Sequence, residues 1–251
     1  MLDPSFLHIP ITHRALHDIA EMRPENSRAA VRAAVDAGYG IEIDLQLSAD
    51  GHAMVFHDYD LSRLTHASGP IRQVTCAQAQ SIALKHGDGE TIPTLRDVLR
   101  IVSGTVPLLI ELKDQDGGMG PDIGRLEMAT ARALQGYKGP VAVMSFNPHS
   151  VAEMARLRAD LPRGLTTAAF ASGELPLSLK TRERLRDIPD FERVGAEFIS
   201  HQASDLGRDR VAELKAQGTP VLCWTIRSPE QEAEARRIAD NVTFEGYLAS
   251  K

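Results

Sequence analysis

Short apolar runs rich in β-branched residues alternate along this chain with longer stretches in which apolar residues recur at helical spacing. This alternation is typical of a parallel sheet wound with helices. Eight runs have the strand pattern, namely Phe6–His13, Gly40–Leu47, Val106–Leu112, Pro140–Phe146, Gly164–Phe170, Glu197–His201, Pro220–Ile226 and Val242–Tyr247. Because eight parallel strands close a barrel, the pattern predicts an α/β fold of the (β/α)8 TIM-barrel type.

The stretches between these runs predict helices, at Ser27–Ala37, Thr94–Val102, Asp122–Leu134, Pro148–Arg158, Leu179–Arg186, Arg208–Ala216 and Pro229–Ile238. Several are followed by a glycine suited to a left-handed C-cap, among them Gly38, Gly104 and Gly218. A doubly wound open sheet would share the alternation but would leave edge strands. The barrel is therefore the preferred interpretation.

The 251 residues fit a single catalytic barrel domain, residues 1–251, because barrels of this kind run to about this length. Residues 58–93 are too long for a plain connection and too irregular for one helix. We expect a small insertion there, after strand 2, walling the substrate site. Few residues follow the last strand, which predicts a short or missing last helix. The seam between the last and first strands is then expected to be thinly covered or packed against another subunit of a homo-oligomer.

Charge and composition exclude several classes. The net charge of −6 carries no basic block, which argues against nucleic-acid or anionic-membrane partners. No apolar run approaches the ~20 residues of a membrane span. The N-terminal residues lack a basic leader and contain Pro4 and Pro10, so a signal peptide is not expected. Cys76 and Cys223 read as free thiols, compatible with the cytoplasm.

Acidic residues end two of the predicted strands. Glu42 and Asp44 are one residue apart and so share a face of strand 2. For that pair alone, solvated strand ends and salt bridges are the commoner explanation. Glu111, however, closes another apolar run, and barrel sites gather residues from several strand ends. The three carboxylates together predict one hard divalent cation, Mg²⁺ or Ca²⁺, with Mn²⁺ as a further candidate.

Two histidines are placed to accompany these acids. With Asp50 and Gly51 as a two-residue hairpin turn, His57 falls opposite Asp44, where an imidazole can protonate a leaving oxygen. The competing interpretation is an ordinary strand-end histidine bonded to Asp58. His13 closes the first strand and precedes Arg14, whose planar guanidinium suits a phosphate ligand. The competing interpretation is that His13 is a core residue and Arg14 forms a surface ion pair.

In sequence order these motifs resemble the glycerophosphodiester phosphodiesterase family. They are His13-Arg14, Pro24-Glu25-Asn26-Ser27, Gly40-Ile41-Glu42-Ile43-Asp44, Asp50-Gly51, His57-Asp58 and Ile110-Glu111-Leu112-Lys113. Further landmarks are Leu61, Arg63, Thr65 and Ile92-Pro93-Thr94-Leu95. Trp224 matches a position that lines the family's pocket, although a lone tryptophan more often packs in a core.

The resemblance implies hydrolysis of glycerophosphodiesters to glycerol phosphate and an alcohol, as part of lipid and glycerol metabolism. It implies a general base at His13 and a general acid at His57. Glu42, Asp44 and Glu111 would hold the metal, and Arg14, Lys113 and Trp224 would bind substrate.

Two positions depart from the family pattern, and they bear on substrate identity more than on reaction type. Ala15 and Leu16 follow His-Arg where glycine is usual, and Glu245-Gly246 replaces a closing Gly-Asp-Pro. A related lysophospholipid or sphingolipid phosphodiesterase would need an exposed apolar collar, for which the candidates are Ile71, Val74, Ile82 and Leu84. A catalytically silent phosphate-ligand binding barrel would need neither an acid nor a base.

Overall fold

The structure, a computed structural model, describes residues 1–173 and 176–251. The strands of the described chain are β1 Ile11–Thr12, β2 Gly40–Leu47, β3 Ala53–Val55, β4 Leu108–Leu112, β5 Val141–Ser145, β6 Arg163–Thr167, β7 Phe198–Gln202, β8 Val221–Ile226 and β9 Asn241–Phe244. The α-helices are α1 Ser5–His8, α2 Arg28–Ala37, α3 Cys76–Ala79, α4 Leu95–Val102, α5 Arg125–Ala133, α6 Pro148–Leu157, α7 Leu179–Arg186, α8 Asp209–Ala216 and α9 Pro229–Ala235.

Eight parallel strands form a closed barrel, confirming the predicted fold. The strand order is β1-β9-β8-β7-β6-β5-β4-β2, and β1 pairs with β2 to close it. Alternate side chains of β2 divide between two surroundings. Ile41, Ile43 and Leu45 point outward into the core beneath the helices, so Glu42 and Asp44 must point into the barrel.

The first predicted strand is wrong over its first half. Residues Ser5–His8 form a helix, and the strand begins only at Ile11. Phe6 is fully buried at the lower end of the barrel, among interior residues such as Leu109 and Phe198. An apolar run of this length does not distinguish a strand from a short helix, and here it closes the barrel floor.

The polypeptide after β9 contains no helix among residues 245–251, in agreement with the predicted short or missing last helix. It packs over the end of α2 instead. The Tyr39 hydroxyl donates to the carbonyl oxygen of Ala249 at 2.7 Å, and the Lys251 ammonium lies 4.4 Å from the centre of the Tyr39 ring. The C-terminal segment thus covers part of the seam where the sequence offered no helix.

Residues 58–93 form turns, a 3₁₀ helix at Ile71–Gln73 and the short helix α3. Ile71 and Leu84 are buried in a small local core with Met54 and Phe56, and Val74 and Ile82 pack against it. These four apolar residues therefore do not form an exposed collar. Among the described residues, no helix is both long and apolar enough to cross a membrane.

Candidate active site

Three buried carboxylates meet inside the upper end of the barrel. Asp44 on β2 lies in register with Glu111 on β4, and Glu42 lies one inward position below Asp44. One oxygen from each carboxylate lies within 4.8 Å of the others, and the three residues are at most 6% exposed. This is the convergence predicted from strand periodicity.

The charge balance of this triad is incomplete. The Lys113 ammonium lies 2.7 Å from Asp44 Oδ1 and 2.6 Å from Glu111 Oε1. Burial alone would raise the pKa of Asp44, but Lys113, His57 and Arg14 lower it well below its usual range. Burial, followed by repulsion from Asp44 and Glu111, raises the pKa of Glu42. One carboxylate is therefore left without enough positive charge, and three hard oxygen donors around one point suit a divalent cation.

The turn after β1 places Arg14 against the triad. Its backbone N–H donates to Glu42 Oε2 at 2.9 Å, and its guanidinium donates to Glu25 Oε1 at 2.8 Å. Arg14 and Ala15 have φ angles of 52° and 64°, a left-handed conformation that favours glycine. This turn explains why glycine suits the position of Ala15, which is nevertheless buried here as an alanine.

His57 reaches the site in a register different from the predicted one. The hairpin pairs Leu47 with Ala53, and the N–H of Ser48 donates to His52 O at 2.9 Å, so the loop has three residues, 49–51, rather than two. Gly51 has a φ of 82° in this loop. Phe56, not His57, therefore lies opposite Asp44. His57 follows the strand and still lines the cavity.

A chain of charged groups stands behind His57. Its Nδ1 lies 2.6 Å from Asp58 Oδ1, the bond considered in the competing interpretation. Arg63 donates to both oxygens of Asp58, at 2.5 and 2.8 Å, and to both oxygens of Glu25 at 2.8 Å. Burial opposes the effect, but the bonds from His57 and Arg63 lower the pKa of Asp58. Since Glu25 also accepts from Arg14, the chain links His57 to Arg14.

Glu245 stands behind His13 in a corresponding way. His13 Nδ1 lies 2.6 Å from Glu245 Oε2, and Arg227 lies 2.8 Å from Glu245 Oε1. His17 Nε2 is 3.5 Å from the same carboxylate. The hydrogen bond from His13 and the nearby His17 ring lower the pKa of Glu245, while burial lowers the pKa of His13.

A cavity of about 180 Å³ joins these groups. Every residue that the sequence nominated for the site lines it, namely His13, Arg14, Glu42, Asp44, His57, Glu111, Lys113 and Trp224. The indole of Trp224 donates to Ser200 O at 3.0 Å and meets Phe146 edge-on, with ring centres 5.6 Å apart. Trp224 is thus both a cavity wall and a packed aromatic. A wider groove of about 620 Å³ shares Trp224 but is lined by none of the three acids or the two histidines.

Residues 13–242 match the model of the glycerophosphoryl diester phosphodiesterase family. The chain belongs to this family. It is 32% identical over 151 residues to a glycerophosphodiester phosphodiesterase of Caldanaerobacter subterraneus, an alignment covering 57% of this chain and 60% of that protein. It is 28% identical over 216 residues to a glycerophosphodiester phosphodiesterase of Bacillus subtilis, covering 80% of this chain and 70% of that protein.

Solved structures also match. The structure of an Oleispira antarctica phosphodiesterase in complex with the product sn-glycerol-3-phosphate superposes with a TM-score of 0.76 at 26% identity. The match covers 96% of this chain and 94% of that one. Family membership agrees with the resemblance found in the motifs.

Several residues of this phosphodiesterase site were not identified as functional from sequence. Glu25 and Asn26 belong to a motif for which the sequence predicted no role, yet Asn26 donates to Asp44 Oδ2 at 2.9 Å. For Asp58 and Arg63 the signal was their closeness to His57 in the sequence. Glu245 was noted only as a departure from the family pattern, and its adjacency to His13 depends on the barrel closing.

Proposed function

We propose that this chain is a metal-dependent phosphodiesterase that hydrolyses glycerophosphodiesters to glycerol phosphate and an alcohol by histidine acid/base catalysis. The observation that carries the proposal is that two histidines, three carboxylates, Arg14 and Lys113 line one cavity. The bound product of the Oleispira antarctica phosphodiesterase, sn-glycerol-3-phosphate, supports a small glycerol phosphate ester as the ligand. We also propose that residues 1–251 form one catalytic barrel domain, with an insertion at about 58–93.

The two histidines divide the proton transfers. His13 takes a proton from the nucleophile, which is either water or the glycerol hydroxyl of the substrate. Attack by the hydroxyl would give a cyclic glycerol phosphate, which water must then open to yield glycerol phosphate. His57 gives a proton to the departing alkoxide, and the bond from phosphorus to that oxygen breaks. Arg14 and Lys113 offer hydrogen-bond donors to the phosphate oxygens, where charge accumulates. Trp224 forms an apolar wall beside them.

The metal site fits the carboxylate triad. Glu42, Asp44 and Glu111 would hold one divalent cation, Mg²⁺ or Ca²⁺, with Mn²⁺ as a further candidate. When bound, such a cation neutralises charge on the phosphorus oxygens. The raised pKa of Glu42 supports the assignment, because a carboxylate with too little neighbouring positive charge is what a cation would stabilise.

Other readings of the site have less support. The apolar residues nominated for a lipid-binding collar are buried or packed against a local core, which disfavours a lysophospholipid or sphingolipid substrate. A silent binding barrel would leave the paired histidines without a role. We further propose a cytoplasmic location, supported by the free thiols Cys76 and Cys223.

A metal and substrate panel tests the proposal. Protein treated with a chelator is assayed on glycerophosphocholine, glycerophosphoethanolamine and glycerophosphoglycerol, then with Mg²⁺, Mn²⁺ or Ca²⁺ restored. We expect chelation to abolish turnover and at least one cation to restore it. The control is Asp240→Asn, which removes a carboxylate 2.6 Å from Lys215, outside the cavity. Undiminished turnover after chelation would refute metal dependence, and no turnover of any diester would refute the proposed activity.

A further inference from the structure

The carboxylate of Glu245 joins the two ends of the chain at the active site. It follows β9 directly, and its backbone N–H donates to Ile226 O at 3.0 Å. From this position Oε2 reaches His13 Nδ1 at 2.6 Å, although the two residues are 232 positions apart. The contact therefore exists only because β1 and β9 pair to close the barrel.

The contact determines which nitrogen of His13 carries a proton. An ionised carboxylate can only accept hydrogen bonds, so Nδ1 of His13 must be the donor. In the neutral ring the lone pair then resides on Nε2. His13 lines the cavity, so Nε2 is the nitrogen left to accept a proton there.

We propose that Glu245 is a positioning residue for His13, holding its tautomer and stabilising the imidazolium formed when it accepts a proton. The proposal rests on the proposed function. In that step the O–H proton of the nucleophile moves to His13 Nε2 as its oxygen bonds to phosphorus. The leaving alkoxide departs with the electrons of its bond to phosphorus and takes a proton from His57.

The rest of the cluster keeps Glu245 ionised and fixed. Arg227 holds Oε1 at 2.8 Å, and this leaves Oε2 directed at His13. His17 lies 3.5 Å from Oε2. The other charged groups acting on His13 are Arg14, in the turn after β1, and Asp44, on β2. A carboxylate held from both sides can fix the orientation of an imidazole, as orienting groups behind catalytic histidines do.

The chain offers a matched pair for comparison. His201 Nε2 lies 3.2 Å from Asp205 Oδ2, and His201 is fully buried. His201 lies on β7 and Asp205 lies in the 3₁₀ turn that follows it, and neither residue lines the cavity with the carboxylate triad. Removing the carboxylate in Asp205→Asn therefore tests what loss of an imidazole–carboxylate contact does to the protein in general.

A double-mutant cycle tests the role of Glu245. Glu245→Ala, His13→Ala, the double variant and Asp205→Asn are assayed as the metal-loaded enzyme on a glycerophosphodiester, with kcat, KM and thermal midpoint measured for each. We expect Glu245→Ala to lower kcat about 10- to 100-fold with little change in KM, the range seen when orienting partners are removed. In the His13→Ala background the same change should have little further effect, because Glu245 then has no imidazole to position.

The outcomes separate the two proposals. Equal losses from Glu245→Ala with and without His13 would show that Glu245 only stabilises the seam, and would overturn the inference. If Glu245→Ala does not fold, Glu245→Gln replaces it, since its amide oxygen accepts the same hydrogen bond without the charge. An unchanged kcat in Glu245→Gln would overturn the inference that the charge of Glu245 stabilises the imidazolium of His13. If the wild-type protein turns over no glycerophosphodiester, the proposed function fails instead.

Discussion

The two histidines of the site have the same kind of partner, provided in opposite ways. His13 and His57 each have Nδ1 at 2.6 Å from a carboxylate oxygen. The partner of His57 is the next residue, Asp58, whereas the partner of His13 is Glu245, 232 positions away. One half of the site is thus built locally, and the other half is completed only when the last strand meets the first.

The surroundings of the two carboxylates differ as well. Asp58 is held by Arg63, which bonds Glu25 and through it Arg14. Glu245 is held by Arg227, whose side chain is 60% exposed. The His57 half is therefore connected to Arg14, while the His13 half is connected to the barrel seam. His57, the proposed acid, belongs to the half linked to Arg14, and His13, the proposed base, belongs to the half at the seam.

The largest effects should come from removing each histidine. We expect His13→Ala and His57→Ala each to lower kcat/KM about 10²- to 10⁴-fold on a diester with an alkyl alcohol. With a nitrophenyl ester the leaving oxygen needs no proton, so the loss in His57→Ala should shrink while the loss in His13→Ala persists. Steady-state kinetics on both substrates measures this. His52→Ala, at a side chain 57% exposed in the hairpin loop, is the control.

Equal losses on the two substrates in His57→Ala would contradict its role as the acid. A loss that shrinks in His13→Ala but persists in His57→Ala would mean that the two roles are reversed.

The next effect should distinguish the arginines behind the carboxylates. Arg63→Met removes paired, charge-assisted bonds to Asp58 and Glu25; because the Arg63 side chain is 47% exposed, each pair is worth about 1 kcal/mol. We expect it to lower kcat about 10- to 100-fold. Arg227→Met removes one largely exposed ion pair, worth up to about 1 kcal/mol, so the loss should stay below about 5-fold.

The same kinetic assay compares the two arginine variants, with circular dichroism to check folding. A larger loss in Arg227→Met than in Arg63→Met would mean that the seam, and not the local chain, carries the stronger support.

The local half of the site was predictable from sequence, and the long-range half was not. Strand periodicity alone places Glu42 and Asp44 on one face, and parallel pairing brings Glu111 beside them. The hairpin was predicted one residue out of register, because loop length depends on the conformation of Gly51 and not on its presence.

The contact of Glu245 with His13 depends on the register in which the last strand meets the first, and no local pattern encodes that register. The helix at Ser5–His8 escaped prediction for a related reason. Its apolar residues are buried by the barrel end and not by a neighbouring strand. Both misses lie where residues distant in sequence meet at the seam and the floor of the barrel.

The smallest effect should appear in the pH dependence of stability. Burial lowers the pKa of His13 below its ordinary value of 6.5, so on acidification the unfolded chain binds a proton there before the native protein does. Stability from this residue is present above pH 6.5 and is lost as the pH falls towards the native pKa. Asp58 also has a lowered pKa, but its contribution to the free energy of unfolding is complete above its unfolded value of 3.8 and is lost only below it.

We therefore expect His13→Gln to flatten the loss of unfolding free energy between about pH 6.5 and 5, by at most about 1.4 kcal/mol per pH unit, and Asp58→Asn to change the slope only below about pH 4. Urea unfolding at a series of pH values measures both. An unchanged slope near pH 6 in His13→Gln would show that burial at the seam does not shield His13 from protons, and the contrast between the two halves of the site would not extend to stability.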